Sequence, residues 1–107
     1  MKGHAHIGEG LEEAAKREVW EECGLMITNI RKISSELKYA KGTTMTFFVS
    51  YMNQLPSTDS LECQSFFEMD GKKIPEISQY LIVPLVELPI YLYKGLASLI
   101  VSNNLLE

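Results

Sequence analysis

Three glutamates, Glu18, Glu21 and Glu22, are the residues whose type and spacing point most directly to chemistry. Glu18 and Glu22 are four positions apart and Glu21 is three from Glu18, so on a helix all three carboxylates share one face. Like charges at this spacing oppose helix formation by roughly a few tenths of a kcal/mol per pair. A hard divalent cation would compensate for this repulsion, and Mg²⁺ is the usual ion where phosphates are also bound. The alternative is a solvated acidic face balanced by Lys16 and Arg17.

The segment that carries these glutamates is predicted to be a helix from Leu11 to Cys23. Apolar residues recur at i+4 intervals along it, at Leu11, Ala15, Val19 and Cys23, and with Ala14 on a neighbouring row they form one stripe. Gly10 is an acceptable N-cap, and Gly24 stands where a left-handed glycine would end the helix. Two i,i+4 ion pairs are expected on its polar side, Glu12–Lys16 and Glu13–Arg17.

The residues around the glutamates form a longer pattern with fixed spacing. Gly3 is followed by five residues and Glu9, and Glu9 is followed by seven residues and the run Arg-Glu-Val-Trp-Glu-Glu-Cys-Gly-Leu at positions 17–25. This resembles the Nudix box, G-x5-E-x7-R-E-U-x-E-E-x-G-U with U apolar, at every defined position over residues 3–25. A chance match at so many fixed positions is negligible, so the pattern is far more specific than three carboxylates alone.

The resemblance implies a Nudix hydrolase, which uses Mg²⁺ or Mn²⁺ to cleave a nucleoside diphosphate linked to another moiety. A nucleoside triphosphate or a dinucleoside polyphosphate is the expected substrate. By position, Glu18 and Glu22 correspond to direct metal ligands, Glu21 to a direct or water-mediated ligand, and the carbonyl of Gly3 to a further metal contact. Glu18 is the first choice for the base that accepts the proton of the attacking water. Some family members use a glutamate outside the box, for which the candidates here are Glu62, Glu68 and Glu76.

Four further residues receive roles from the resemblance. Glu9 and Arg17 match the family pair that braces the loop of the box against its helix, so Arg17 is expected to be more structural than catalytic. Lys2 begins a Lys-Gly-His sequence similar to that of members related to diadenosine tetraphosphate hydrolases, which makes it a candidate for substrate binding. Tyr39 precedes a predicted turn and is the aromatic residue expected to stack on a base; core packing is its alternative role.

The order of elements after the box predicts an α/β fold. Strands are predicted over 25–34, 44–51, 63–69 and 80–83, and a terminal helix over 85–101 with its first turn disturbed by Pro89. Turns are predicted at Ala40–Thr43 and at Asp70-Gly71. With the resemblance, this order implies a single Nudix domain over residues 1–107, built as an α/β/α sandwich with a mixed sheet. Because the box begins at Gly3, we expect the strands that usually precede it to be missing and the fold to be N-terminally truncated.

The missing strands predict self-association. An apolar strand over Thr44–Tyr51 would have an open edge, and unpaired edges favour pairing with another chain. We therefore expect a homodimer or a larger assembly, with the Met45–Val49 region at or near the contact.

Composition excludes other classes of partner. The formal net charge of −4 and a pI of about 5.2 argue against a nucleic-acid footprint and against polybasic membrane attachment. Charged residues and prolines interrupt the most apolar stretch, residues 80–101, so no membrane span is expected. No signal peptide is visible, and Cys23 and Cys63 are expected to be free thiols in a cytoplasmic protein.

Two hypotheses of different classes remain open. The first is the metal-dependent pyrophosphohydrolase, favoured by the three intact helix glutamates. The second is a non-catalytic Nudix-derived module for nucleotide binding or protein interaction, favoured by the missing strands. An unrelated acidic helical module is a third reading, and it requires the match to the box to be accidental.

Overall fold

A computed structural model describes residues 2–106 and begins with a loop that leads into helix α1, Leu11–Cys23. The predicted bounds of this helix are confirmed. Gly10 precedes it in extended backbone, and Gly24 ends it with φ of +76°, a left-handed conformation that favours glycine. The amide of Gly24 donates to the carbonyl oxygen of Trp20 at 2.8 Å, which closes the last helical turn.

The single apolar stripe predicted for α1 is wrong. Its buried residues are Ala14 and Cys23, whereas Leu11 is 44% exposed. Ala14 and Cys23 are nine positions, or two and a half turns, apart, and therefore lie on opposite sides of the helix. The helix is thus covered on different sides at its two ends, and no continuous stripe faces one core.

Within residues 2–106, six short strands and two further helices follow α1. They are β1 (Ile30–Lys32), β2 (Leu37–Ala40), β3 (Thr43–Met45), β4 (Phe48–Ser50), β5 (Phe66–Met69), β6 (Lys72–Pro75), α2 (Leu88–Tyr91) and α3 (Lys94–Ser102). Single turns of 3-10 helix lie at Thr58–Ser60 and Leu85–Glu87. No helix in this described part of the chain has the length and hydropathy needed to cross a membrane.

The chain divides into two compact units. Unit 1 contains the residues up to 31 and residues 50–81, and thus α1 and the antiparallel hairpin β5–β6. Unit 2 contains residues 32–49 and those from 82 onward, and thus the antiparallel hairpin β2–β3 and the helices α2 and α3. Both hairpins turn where predicted, with Gly42 and Gly71 at positive φ. Strands β1 and β4 form the third pair. Two boundaries between the units fall within these strands, after residue 31 in β1 and after residue 49 in β4.

Several predicted strands have different bounds in the structure, because hydrogen-bond donors find other acceptors. The strand predicted over 44–51 is divided into β3 and β4, since the amide of Phe47 donates to the hydroxyl oxygen of Ser34 at 2.8 Å rather than to a backbone carbonyl. The strand predicted over 63–69 begins only at Phe66, because the amides of Glu62 and Gln64 bond to helix carbonyls. The strand predicted over 25–34 is reduced to β1, and residues 80–83 form no strand.

The terminal helix is also divided. Pro89 lies in the first turn of α2, where its missing N–H is tolerated. Leu92 and Tyr93 then adopt extended backbone before α3 begins. In unit 2, Leu96 and Ile100 of α3 are buried one turn apart, and α3 packs on β2.

The α/β class is confirmed by these helices and strands. The strands of residues 2–106 form three separate two-stranded sheets, so the single mixed sheet is not formed there. With only three or four residues each, the strands offer few ladder bonds to a further neighbour. The α/β/α sandwich, the N-terminal truncation and the single domain over 1–107 stay predictions.

Candidate active site

Arg17 connects the opening loop to the carboxylates of α1. Its Nε and Nη2 donate to the two carboxylate oxygens of Glu9 at 2.8 and 3.1 Å. Its Nη1 donates to Glu18 at 2.9 Å and to Glu21 at 3.1 Å. Nη2 also donates to the carbonyl oxygen of His4 at 2.7 Å. One guanidinium therefore contacts the loop, the brace partner and two of the three predicted metal ligands.

The paired charges shift the pKa of both brace residues. Hydrogen bonds from Arg17, and then from the backbone amide of His6, lower the pKa of Glu9 from 4.5 to about 2. The same bond to Glu9 raises the pKa of Arg17 above its usual value. Both groups are therefore ionised at neutral pH, and both side chains are about four-fifths shielded from solvent.

The expected Glu13–Arg17 pair is wrong, because the guanidinium of Arg17 is directed to other carboxylates. Glu13 instead pairs with Lys16 at 3.7 Å. The expected Glu12–Lys16 pair is confirmed at 3.6 Å. These two contacts lie at the start of α1, where Lys16 balances the acidic first turn.

Gly3 lies directly against the side chain of Glu18. A Cβ atom at position 3 would be 1.9 Å from Cδ of Glu18 and 2.2 Å from its Oε1. A side chain at position 3 would displace the end of the Glu18 side chain, so glycine allows the main chain to lie directly against that carboxylate. Two members of the predicted metal-binding set are thereby brought together, although fifteen positions separate them in the chain.

Glu22 lies among like charges in a partly desolvated place. Burial is the main cause that raises its pKa, and the charges of Glu18, Glu21 and Glu76 raise it further. Such a carboxylate is stabilised in its charged form by a nearby cation.

Of the three glutamates considered outside the box, Glu76 is the one whose charge raises the pKa of Glu22. Its amide donates to the carbonyl oxygen of Ser65 at 2.9 Å, at the base of the β5–β6 hairpin. Glu62 lies before that hairpin, and Glu68 is exposed on β5. The three glutamates are equal candidates in the sequence, but their surroundings in the structure differ, and only the charge of Glu76 is felt by Glu22.

The last four carbonyl groups of α1 all have hydrogen-bond donors. Gly24 donates to Trp20, and the amides of Gln64 and Glu62 donate to Glu21 at 2.7 Å and to Cys23 at 3.0 Å. The hydroxyl of Tyr80 donates to the carbonyl oxygen of Glu22. Helix ends normally leave such groups for water or for capping side chains.

Sequence reasoning missed the roles of Gln64 and Tyr80, because no periodicity or motif marks them. The one local signal was Gly24, whose added Cβ would lie 2.8 Å from the carbonyl oxygen of Glu62.

The two predicted substrate-binding residues lie in different units. Lys2 is exposed in the opening loop of unit 1. Tyr39 lies on β2 in unit 2, where its ring would be 3.6 Å from a Cβ placed on Gly95 of α3. It also lines an open cavity of about 480 Å³ formed by residues 38–44, which include Lys38 and Lys41. Tyr39 thus combines packing against α3 with access to a cavity.

The donor chemistry of the site fits a hard cation such as Mg²⁺, since it consists of carboxylates beside a glycine main chain. Within residues 2–106, however, no three acidic, histidine or cysteine side chains converge as a ready ligand set. Glu18 and Glu21 are instead turned toward Arg17. A bound cation would therefore need these carboxylates to reorient.

Comparison with known proteins gives one match. A family model described as NUDIX domain matches residues 1–98. No curated protein and no solved structure matches the chain. The match extends well beyond residues 3–25 and includes the hairpins and the first turn of α3 as well as the carboxylate helix.

Proposed function

Because the chain belongs to the Nudix family, whose members act on pyrophosphate bonds, we propose that it is a Mg²⁺- or Mn²⁺-dependent pyrophosphohydrolase. Its substrate would be a nucleoside diphosphate linked to another moiety, either a nucleoside triphosphate or a dinucleoside polyphosphate. The observation that carries the proposal is Glu22, a partly desolvated carboxylate with the charges of Glu18, Glu21 and Glu76 around it. An acidic cluster of this kind would repel a polyphosphate unless a cation joined the two.

The residues proposed to hold the cation are Glu18, Glu21 and Glu22, together with the main chain of Gly3. When bound, the cation neutralises phosphate charge, polarises phosphorus and activates water. Arg17 and Glu9 act as the brace, since their ion pair keeps the loop that carries Gly3 beside Glu18. The five contacts of Arg17 fix both parts of the site relative to each other.

The chemical step is attack of water on phosphorus. One proton of that water passes to a carboxylate, the bond between phosphorus and the bridging oxygen breaks, and the leaving phosphate departs with that oxygen. Glu18 is our first choice for the base, because of its position in the box and because its carboxylate lies beside the main chain of Gly3. Glu76 is the alternative outside the helix, supported by its effect on Glu22.

Lys2 and Tyr39 are proposed to contact the substrate. The exposed ammonium of Lys2 lies one residue before Gly3 and would bind a phosphate oxygen. Tyr39 offers a ring to a nucleobase at the cavity of residues 38–44, where Lys38 and Lys41 add positive charge.

A non-catalytic nucleotide-binding or interaction module is the alternative function. It is favoured by the hydrogen bonds from Arg17 to Glu18 and Glu21, which neutralise two of the three carboxylates without a cation. In such a module these contacts would be permanent, and the helix would serve as a scaffold.

A hydrolysis screen distinguishes the two functions. The purified protein would be incubated with nucleoside triphosphates, dinucleoside polyphosphates, ADP-ribose and capped RNA, each with Mg²⁺, with Mn²⁺ and with a chelator. We expect metal-dependent release of phosphate or of a nucleotide from at least one of them. Binding of a nucleotide without turnover of any substrate would favour the non-catalytic module.

We also propose that the protein self-associates as a homodimer or a larger assembly. The β2–β3 hairpin is a two-stranded sheet, so the outer edge of β3 has no ladder partner within its sheet. Such an edge accepts a strand from another chain. The Met45–Val49 region, which begins at the end of β3, is the proposed contact.

The cytoplasm is the compartment that we propose. Cys23 and Cys63 are free thiols, as a reducing environment requires. For the arrangement of layers we propose the α/β/α sandwich implied by the family.

A further inference from the structure

The end of α1 is held by donors from distant parts of unit 1, among them the thiol of Cys63, which lies 3.6 Å from the carbonyl oxygen of Glu21. The amides of Glu62 and Gln64 donate to the carbonyl oxygens of Cys23 and Glu21, and the hydroxyl of Tyr80 donates to that of Glu22. We call these three donors the carbonyl cap. Tyr80 is the one side chain among them, and it follows its acceptor by 58 positions.

Hydrogen bonds supplement packing at this end of the helix, where Cys23 is 3% exposed. Of the thirteen residues of α1, Ala14 and Cys23 are the two that are buried. Trp20, in the last turn, is 44% exposed. Because the other residues of the last turn are only partly covered, its position depends also on which donors reach its carbonyls.

That last turn carries two of the proposed metal ligands, Glu21 and Glu22. Two of the three donors of the carbonyl cap contact these residues: Gln64 donates to the main chain of Glu21 and Tyr80 to that of Glu22, while Glu62 donates to Cys23. Arg17 holds the side chain of Glu21 but donates no hydrogen bond to Glu22. The contact from Tyr80 is therefore the one side-chain hydrogen bond that fixes the main chain of Glu22.

We propose that Tyr80 is a positioning residue for Glu22: its hydroxyl fixes the main chain of that residue so that the carboxylate is placed to bind the divalent cation. The inference rests on the proposed function, because it assumes that Glu22 is a metal ligand. Residues that orient metal ligands in this way commonly change metal affinity when substituted.

The test compares Tyr80→Phe with the wild type and with Tyr91→Phe. The first substitution removes the hydroxyl and keeps the ring; Tyr91, which is 56% exposed on α2, provides a matched loss of a hydroxyl elsewhere. Mn²⁺ binding is measured on the metal alone by electron paramagnetic resonance, well below the unfolding temperature. We expect Tyr80→Phe to weaken Mn²⁺ binding by about 2- to 10-fold, the effect of losing one hydrogen bond, and Tyr91→Phe to leave it unchanged.

Turnover separates positioning from a general structural role. With Tyr80→Phe, the Mn²⁺ concentration for half-maximal turnover should rise by the same factor, while kcat at saturating Mn²⁺ stays within about twofold of the wild type. A residue that merely supports the fold would lower the unfolding temperature and leave the Mn²⁺ affinity of the folded molecules unchanged. Equal Mn²⁺ affinity of the wild type and Tyr80→Phe would overturn the inference.

A second measurement needs no substitution and tests a condition that the inference requires, namely that cation binding is coupled to the carbonyl cap at the end of α1. Since coupling is reciprocal, Mn²⁺ should slow hydrogen exchange at the amides of Glu62 and Gln64 by about 2- to 10-fold. The amide of Ala97, which bonds to Tyr93 within unit 2, is the control and should not change. Unchanged exchange at Glu62 and Gln64 with saturating Mn²⁺ would overturn the inference.

The outcomes also separate this inference from the proposed function. A wild type that binds Mn²⁺ more tightly than Tyr80→Phe, yet hydrolyses no substrate, supports the role of Tyr80 and contradicts the hydrolase. A wild type that hydrolyses a substrate with the same Mn²⁺ dependence as Tyr80→Phe supports the hydrolase and contradicts the role of Tyr80. A wild type that binds no Mn²⁺ contradicts both.

Discussion

The main chain of Gly3 lies against a side chain fifteen positions later, that of Glu18. Glu18 occupies the space that a Cβ atom would need, so the two residues are complementary in shape as well as in their proposed role. The other carboxylates are distinguished by their surroundings: Glu21 shares the guanidinium of Arg17, whereas Glu22 lies among like charges. Glutamates on one helix therefore have different charged neighbours: a cation beside Glu21 and carboxylates around Glu22.

Gly3→Ala should displace Glu18 and reduce turnover. A new methyl group within 2 Å of Cδ forces the carboxylate to move, and a displacement of about 1 Å in a catalytic group can cost about 10²-fold in rate. Steady-state kinetics on the substrate found in the screen would measure the loss. Gly10→Ala is the matched control, because φ there is −71° and a Cβ atom would meet no atom within 4 Å. Equal activity of both variants would show that Glu18 adapts without loss.

Glu18→Gln and Glu22→Gln should each reduce turnover by about 10²- to 10⁴-fold and weaken Mn²⁺ binding. The amide is nearly the same size but is a poorer cation ligand and no longer a base. The fold should survive, because neither residue belongs to the buried core. Glu12→Gln, on the exposed first turn of the same helix, should leave turnover and Mn²⁺ binding unchanged. Near-normal activity of both test variants would mean that the metal assignment is wrong.

At the scale of elements, the loop before α1 is held to the helix by a partly buried ion pair between Glu9 and Arg17 and by a hydrogen bond to the main chain of His4. Arg17 donates to both oxygens of Glu9 and to the carbonyl of His4, while Glu9 accepts from the amide of His6. The bond from the His6 amide to Glu9 closes the turn of the loop, and the bonds from Arg17 attach the loop to α1. The ion pair and these hydrogen bonds therefore join the loop and the helix of the box into one structural element.

The ion pair predicts a pH dependence of stability. The pKa of Glu9 is lowered from 4.5 to about 2 in the folded protein, so the folded state favours the ionised carboxylate. This contribution is complete above pH 4.5 and is lost as the pH falls toward about 2. Glu9→Gln should therefore be less stable than the wild type at pH 7, and the difference should vanish in this acidic window. Chemical denaturation at a series of pH values would measure it, with Glu13→Gln as the exposed control.

A constant difference between the wild type and Glu9→Gln from pH 7 to pH 2 would contradict the brace. It would mean that the variant acts through packing, and that the bond to Arg17 contributes nothing that depends on charge.

At the scale of the whole molecule, the described chain leaves many large apolar side chains exposed in both units. Met26, Leu55 and Leu81 in unit 1 and Val86 and Tyr93 in unit 2 are each more than 65% exposed. Short two-stranded sheets add unpaired backbone edges to this apolar surface. Both features favour contact with another protein chain.

We expect light scattering to give a dimer or a larger assembly at micromolar concentration. Thr44→Lys should shift the equilibrium toward the monomer, because a charge on the exposed side of β3 opposes pairing of that edge. Val101→Lys is the control: it adds the same charge at an exposed position of α3, which lies outside β3 and outside the Met45–Val49 region. A stable wild-type monomer would rule out self-association, and equal effects of the two variants would place the contact elsewhere.

Residue spacing along the chain is enough to predict the carboxylate helix and to identify its family. The bounds of α1, the terminating Gly24 and the Glu12–Lys16 pair depend on contacts within four residues, and such contacts are visible as spacing. The match over residues 3–25 identified the family for the same reason, since its ligands and its brace lie at fixed distances along the chain. The two hairpin turns were likewise predictable from glycine positions.

Tertiary structure decided where the strands begin and which groups hold the site. β5 begins late because Glu62 and Gln64 donate to α1, and no strand forms at residues 80–83, where Tyr80 also donates to α1. A backbone N–H group is the same donor whether it bonds to a neighbouring strand or to the end of a helix. The sequence therefore does not show which acceptor it will bond to. The choice is made by segments some forty to sixty positions apart, once folding has brought them together.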